Sequence, residues 1–401
     1  MKFLRKYNYN LINYYYLLAV LVYFSAIYLP FIRVGLAMSL VMVIAIIILY
    51  NYNNISFRNR LDLLVLFYLL YNFFSFLFFS FSGLPKSVYF MEFSNSILPI
   101  IPFYFLGKLP GKKSFYNITL YSLLACFVVG FYLQSTTSVN YMNFMSKIDG
   151  VGTNPLSYVV NYRSFLGLTA TGALSALCVL LSFGLLQNSN FKWGKIAVLV
   201  CFVASILTFR RASLYTSFFA LLYMNFLFLF ILKGSKVKFF VFEILVFIVF
   251  FYWLLDSNPE LFDQLFERFT SLSDAISSRK TSGVGGVLDI QRFVFGDGLG
   301  RYGHKAVAYS DSHIPDGNYL RMFYELGIIG FSIFILIIVS ALYKGLSYIE
   351  NNYIGLGVII MVCLQAVGSD MFSFQLVAPI FWYSIGRSNR LKQLEESESL
   401  I

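Results

Sequence analysis

Charge is what this chain has least of: 12% of its 401 residues are Asp, Glu, Lys or Arg, against roughly 25% in a soluble domain. So few charges cannot wet a whole surface, which excludes an ordinary soluble enzyme and makes lipid part of the solvent. Histidine is scarcer still. His304 and His313 are the only two, and two cannot build a histidine-rich metal centre. No GxxxxGK[ST] loop is present to cradle ATP, and no Asp-x-Asp pair is present to hold a metal-bound nucleotide sugar. The four cysteines, Cys126, Cys178, Cys201 and Cys363, all fall in apolar stretches without ligand spacing. They read as packing residues rather than disulfides or zinc ligands. Internal repeats and low-complexity tails are also missing. Any group transfer would therefore need no metal and no cofactor.

What the chain has in abundance is apolar length: 59% hydrophobic and 20% aromatic residues, with a mean hydropathy of +0.73. Stretches long enough to cross a ~30 Å hydrocarbon core as helices recur throughout. They run approximately over 11–29, 31–50, 61–81, 90–107, 115–134, 164–186, 195–209, 212–232, 238–254, 322–343, 352–369 and 371–386. The expectation is an all-α polytopic membrane protein of about twelve transmembrane helices in one domain, 1–401. The fourth span is interrupted by Glu92, Asn95, Pro99 and Pro102, and only Ser369 and Asp370 separate the last two. The first stretch lacks a small-residue cleavage site and reads as a retained span.

The net charge of +11 does not point to nucleic acid. Lys2, Arg5 and Lys6, then Arg58 and Arg60, Lys108, Lys112 and Lys113, Lys192 and Lys195, Lys233, Lys236 and Lys238, Lys344, and Arg387, Arg390 and Lys392 occupy every second connection. That is the positive-inside pattern, and it places both termini in the cytoplasm.

Two outward segments are long enough to build something: 135–163, with Lys147, Asp149 and a GVGTNP turn, and 255–321. The second holds about half of the 19 acids. In it Leu261, Leu265, Phe266, Phe269, Leu272 and Ile276 recur near helical spacing, as in a helix lying on the membrane surface. Gly283, Gly285 and Gly286 break that pattern, and Gly296, Gly298, Gly300 and Gly303 read as a flexible turn region. Most charges of this loop, Arg268, Lys280, Arg292 and Arg301 among them, read as solvated or paired. Glu243 is the only clear mid-span acid.

Chemistry is sought at the outer face. In LTFRRASLY, Arg210 and Arg211 stand between two spans with almost no loop. A guanidinium at the bilayer centre costs roughly 2.5–3.5 kcal/mol on insertion scales, so both must reach the interface or a wet cavity. There they either grip a lipid-linked diphosphate with their planar forks or snorkel to headgroups. Arg163, opening NYRSFLGLTATG, either borders the same cavity or anchors its span. Asp311, His313 and Asp316 are candidate proton acceptors for an attacking sugar hydroxyl; the bland readings are a surface histidine and a helix cap at Asp316. Asn318 and Tyr319 open the tenth span and are placed to bind sugar hydroxyls or headgroups.

Together LTFRRASL, the large late outer loop, GDGLGRYG and DGNYLRMFYELGIIG resemble the bacterial O-antigen polymerase and O-antigen ligase superfamily. Likeness in topology covers nearly the whole chain, and likeness in motif covers 163–211 and 268–330. The resemblance implies a GT-C type membrane glycosyltransferase with a periplasmic cavity, in the bacterial inner membrane. Polymerases of this kind move a growing glycan from undecaprenyl pyrophosphate onto the next lipid-linked repeat unit; ligases move it onto lipid A-core. Arg211 matches the arginine after the seventh span, with Arg210 in place of a small polar residue, and Arg279 matches the loop arginine before the GxGLG turn. Ligases carry histidine just before Asn-x-Tyr-Leu, where this chain has Asp316-Gly317-Asn318-Tyr319-Leu320 with His313 displaced upstream; that favours polymerase. A repeat-unit flippase and a chain-length regulator are the implied partners. A twelve-span flippase or other transporter is the rival of another class.

Overall fold

Asn59 and Asp62 open the first helix whose bounds are described in the computed structural model. It describes residue 57, 59–108, most of 116–124, 168–187, 191–207, 211–231, 290–303, 305, 306, 309, 310, 314, 317–374 and 377–398, with isolated positions elsewhere. Helix α1 spans Arg60–Ser80, and the Asn59 N–H donates to Asp62 Oδ2 at 3.0 Å in a capping box. The expected fourth span is broken where its prolines and polar residues predict. It becomes α2 (Lys86–Glu92), a π-helical turn (Phe93–Ile97) and α3 (Ile100–Lys108). Then follow α4 (Leu168–Leu181), α5 (Phe183–Gln187), α6 (Phe191–Leu207) and α7 (Arg211–Phe226), which runs into a π-helical turn (Leu227–Ile231). The remainder is α8 (Ile290–Phe295), α9 (Asn318–Ser347), α10 (Ile349–Gln365) and α11 (Ala378–Glu398).

Every regular element among the described residues is helical. Arg60–Ser80, Ala212–Ile231 and Asn318–Ser347 are long and apolar enough to cross a membrane, with Trp193–Ile206 and Ile349–Gln365 as shorter apolar helices. The last expected span, 371–386, differs from the structure. Residues 366–374 form turns and bends, and only the first part of α11 is apolar. The turns wrap the opening of α9, where side-chain hydrogen bonds hold them. The surface helix expected near 261–276, the 135–163 segment and Cys126 lie outside the described residues. Cys178 and Cys201 are buried, as packing residues should be.

One end of the bundle is tied by a buried polar knot. Asp62, fully buried, accepts from Tyr104 Oη at 2.6 Å, from Lys108 Nζ at 2.8 and 2.9 Å, and from Asn389 Nδ2 at 2.8 Å. Lys344 Nζ donates to Asn389 Oδ1 at 2.5 Å. The knot thus joins α1, α3, α9 and α11. Nearby, α3 and α11 touch backbone to backbone: a Cβ on Gly386 would fall on Tyr104 O, and one on Gly107 would fall on Tyr383 O. Small residues at such a crossing replace the hydrophobic effect that lipid cannot supply between helices.

Candidate functional site

The opposite end is built around a break in α9. Gly327 takes φ 61°, ψ −174°, which interrupts the helical ladder and releases the carbonyls before it. The glycine loop 296–303 takes them up. Asp297 N donates to Tyr324 O at 3.0 Å and Gly298 N to Glu325 O at 2.9 Å, while Tyr71 Oη donates to Leu326 O at 2.8 Å and Phe295 O at 3.0 Å. The loop also lies directly on α1 and α2. A Cβ on Gly298 would overlap the Phe79 backbone, and one on Gly300 would stand 2.9 Å from Glu92 Cβ. The glycines expected to form a flexible turn therefore serve close approach, and Gly296, Gly298 and Gly300 hold positive φ.

Under this strap sits a cluster of ionisable groups. Arg321 is 4% exposed. Its Nη2 donates to Glu92 Oε1 at 2.9 Å, its Nη1 to Asp370 Oδ2, and its Nε stands 3.7 Å from Glu325 Oε2. Ser96 Oγ donates to Glu92 Oε1 at 2.6 Å and Tyr302 N to Glu325 Oε1 at 3.0 Å. One guanidinium thus faces three carboxylates. Glu325 is wholly buried, and Asp370, 18% exposed, is the member nearest solvent. Glu243 lies outside the described residues. Asp62, Glu92 and Glu325 are all buried within the expected spans. In the strap itself, Arg292 and Arg301 pair with Asp297 at 3.3 and 3.7 Å, and Tyr302 Oη donates to the same carboxylate. Burial, reinforced by Asp297, pushes the Tyr302 hydroxyl up to about 12.

Of the residues singled out by sequence, Asn318 and Tyr319 open α9 as expected. Asn318 N donates to Ala366 O at 2.9 Å, its Nδ2 donates to Asp370 Oδ1, and its Oδ1 accepts from Met371 N and, at 3.2 Å, from Phe372 N. Tyr319 Oη donates to Cys363 O at 2.9 Å. Asn318 holds the turn after α10 and Tyr319 the last turn of α10 itself, and a sugar hydroxyl would have to compete with these contacts. Arg211 is the first residue of α7, a helix start whose unpaired N–H groups favour anions. Arg163, Arg210, Arg279, Asp311, His313 and Asp316 lie outside the described residues.

The Arg211 helix nevertheless comes to the same end as the cluster. Gln365, the last residue of α10, donates through Nε2 to Thr216 Oγ1 at 3.0 Å and to Ala173 O of α4 at 3.2 Å. Ser205 of α6 bonds Ser213 Oγ at 2.8 Å and Ser217 Oγ at 2.6 Å. The start of α7, the end of α10 and the start of α9 therefore meet. Sequence reasoning missed Arg321, Glu92, Glu325, Asp370 and Gln365 as a group. Its one signal was that Glu92 and Asp370 break apolar runs. Among the described residues no group of three or more His, Cys, Asp or Glu is arranged to hold a metal ion. Compared with protein-family models, curated proteins and solved structures, the chain shows no match.

Proposed function

We propose that this chain is a membrane glycosyltransferase that polymerises a surface polysaccharide. It would transfer a growing glycan from undecaprenyl pyrophosphate onto the next lipid-linked repeat unit at the periplasmic face of the bacterial inner membrane. The observation that carries this reading is the meeting of α7, α10 and α9, which brings the start of α7 and the start of α9, far apart in sequence, to one end of an apolar helical bundle. The twelve-span GT-C type architecture, cytoplasmic termini, and a flippase and chain-length regulator as partners belong to the same proposal.

The chemistry asks little of the protein. The donor is already activated, and the difficult charge is the one developing on the departing diphosphate. Arg211 at a helix start, with Arg210, Arg279 and Arg163 as further cations, would stabilise it in a partly dehydrated chamber. The acceptor hydroxyl oxygen attacks the anomeric carbon as the bond to the diphosphate oxygen breaks. Its proton passes to Asp316, His313 or Asp311, and a single displacement inverts the anomeric centre.

Purified protein given lipid-linked repeat units alone should produce a ladder of longer lipid-linked glycans. Product only after adding lipid A-core would make it a ligase instead. Arg211→Ala and Arg279→Ala should each abolish the ladder with membrane insertion intact, and Arg211→Lys should be poor because lysine lacks the fork. Full activity in both alanine variants would remove the diphosphate site. The buried ionisable cluster at Arg321 favours a second reading, a transporter, since such groups mark ion paths in membranes. Repeat units stranded on the cytoplasmic leaflet of a deletion strain would support that reading.

A further inference from the structure

The first two turns of α7 are unusual for a helix in an apolar bundle. Ser213, Thr216 and Ser217 are all buried there, facing Ser205 of α6 and Gln365 of α10. Polar side chains in such surroundings are costly and tend to be functional. The hydroxyls are satisfied: Thr216 Oγ1, for instance, donates to Ala212 O at 2.7 Å while accepting from Gln365. Gln365 is not satisfied. It is 2% exposed, both its amide hydrogens are spent on Thr216 and Ala173, and its Oε1 has no hydrogen-bond donor.

An unmet buried acceptor costs about 1–3 kcal/mol. The two Nε2 bonds fix which way the amide is turned, so Oε1 cannot relieve the deficit by flipping. Other unpaired buried atoms do not share its setting. Those of Asn72, Asn117, Thr119, Asn352 and Trp382 are not on the residues that join α7 to α10, and those of Arg321 and Glu325 face each other. Gln365 stands where α10 ends, bonded to a residue five positions along α7 from Arg211, about 7.5 Å along a helix axis.

We infer that Gln365 Oε1 is a substrate-binding acceptor that takes a hydroxyl of the sugar next to the diphosphate. It is a specificity contact set one and a half turns below Arg211. The inference rests on the proposed function for the identity of its ligand. A site built to hydrogen-bond a hydroxyl rejects ligands lacking it, because its own polar atom is otherwise left unpaired.

The test is binding to the full-length protein in detergent of two probes: undecaprenyl diphosphate bearing the repeat unit, and bare undecaprenyl diphosphate. Gln365→Met keeps the volume and removes the acceptor. It should weaken the sugar-bearing lipid about tenfold, one hydrogen bond's worth, and leave the bare lipid unchanged. Equal affinity of variant and wild type for the sugar-bearing lipid overturns the inference, as does an equal loss for both lipids, which marks a packing role only. If Gln365→Met does not insert, Gln365→Glu carries the test. It retains acceptor oxygens and should keep the wild-type ratio between the two lipids, and a fallen ratio counts against the inference. Arg211→Ala measured alongside separates the two ideas. Its unaltered binding of bare undecaprenyl diphosphate would sink the diphosphate site, whatever Gln365 does.

Discussion

At the scale of single residues, Arg321 carries the most. Three carboxylates, from α2, from α9 itself and from the turn after α10, converge on it. Removing one partner of a buried ion pair costs about 3–5 kcal/mol. Arg321→Met should lower the unfolding temperature in detergent sharply, whereas Glu92→Gln, which removes one of three competing acids, should cost clearly less. Comparable losses in thermal unfolding would refute this ordering. None of this was readable in the sequence. There Arg321 is merely the last residue of a loop, Glu92 an interruption in a span, and Asp370 a gap between two helices. Their pairing spans 229 and 49 positions, and hydrophobic periodicity reports only on near neighbours. Asn318 was visible as the opening of a helix, but not as the clamp on Met371 and Phe372.

At the scale of elements, the glycine loop and the broken helix explain each other. The spacing in GDGLGRYG announced a turn, and ELGIIG announced only a helix continuing. The structure joins them: backbone donors of Asp297 and Gly298 fill carbonyls that a straight α9 would have used itself. Sequence reasoning could not foresee this, because a glycine inside an apolar run is equally compatible with an unbroken span. Gly298→Ala tests the fit. Its φ of 94° disfavours any side chain, and the new Cβ would press on Phe79, a strain of about 1–3 kcal/mol. Limited proteolysis should then cut within 290–303 in the variant before the wild type, with the rest of the helical bundle still folded. Identical digestion of the two proteins would mean that the loop is held by something else.

At the scale of the whole molecule, an apolar helical protein with one polar end was legible from composition alone, because low charge and long hydrophobic runs leave few alternatives in lipid. The ordering of helices around the bundle was not legible, since lipid-facing and core-facing sides are both apolar and carry no contrast to read. The opposite polar knot, which the sequence did not announce, has a consequence for biogenesis. Asp62 meets Lys108 after 46 further residues but Asn389 only after 327. During synthesis this carboxylate can settle early against one nearby amine, while its final amide partner is still unmade. A chain stopped before residue 378 should insert, yet be cleared by cellular proteases faster than the full chain. Asp62→Ala should erase that difference by spoiling the full chain as well; pulse-chase lifetimes of the three proteins would show it. Docking of α11 thereby completes a carboxylate site that α1 opened, and a chain lacking that helix would present the site to proteases without its amide donor.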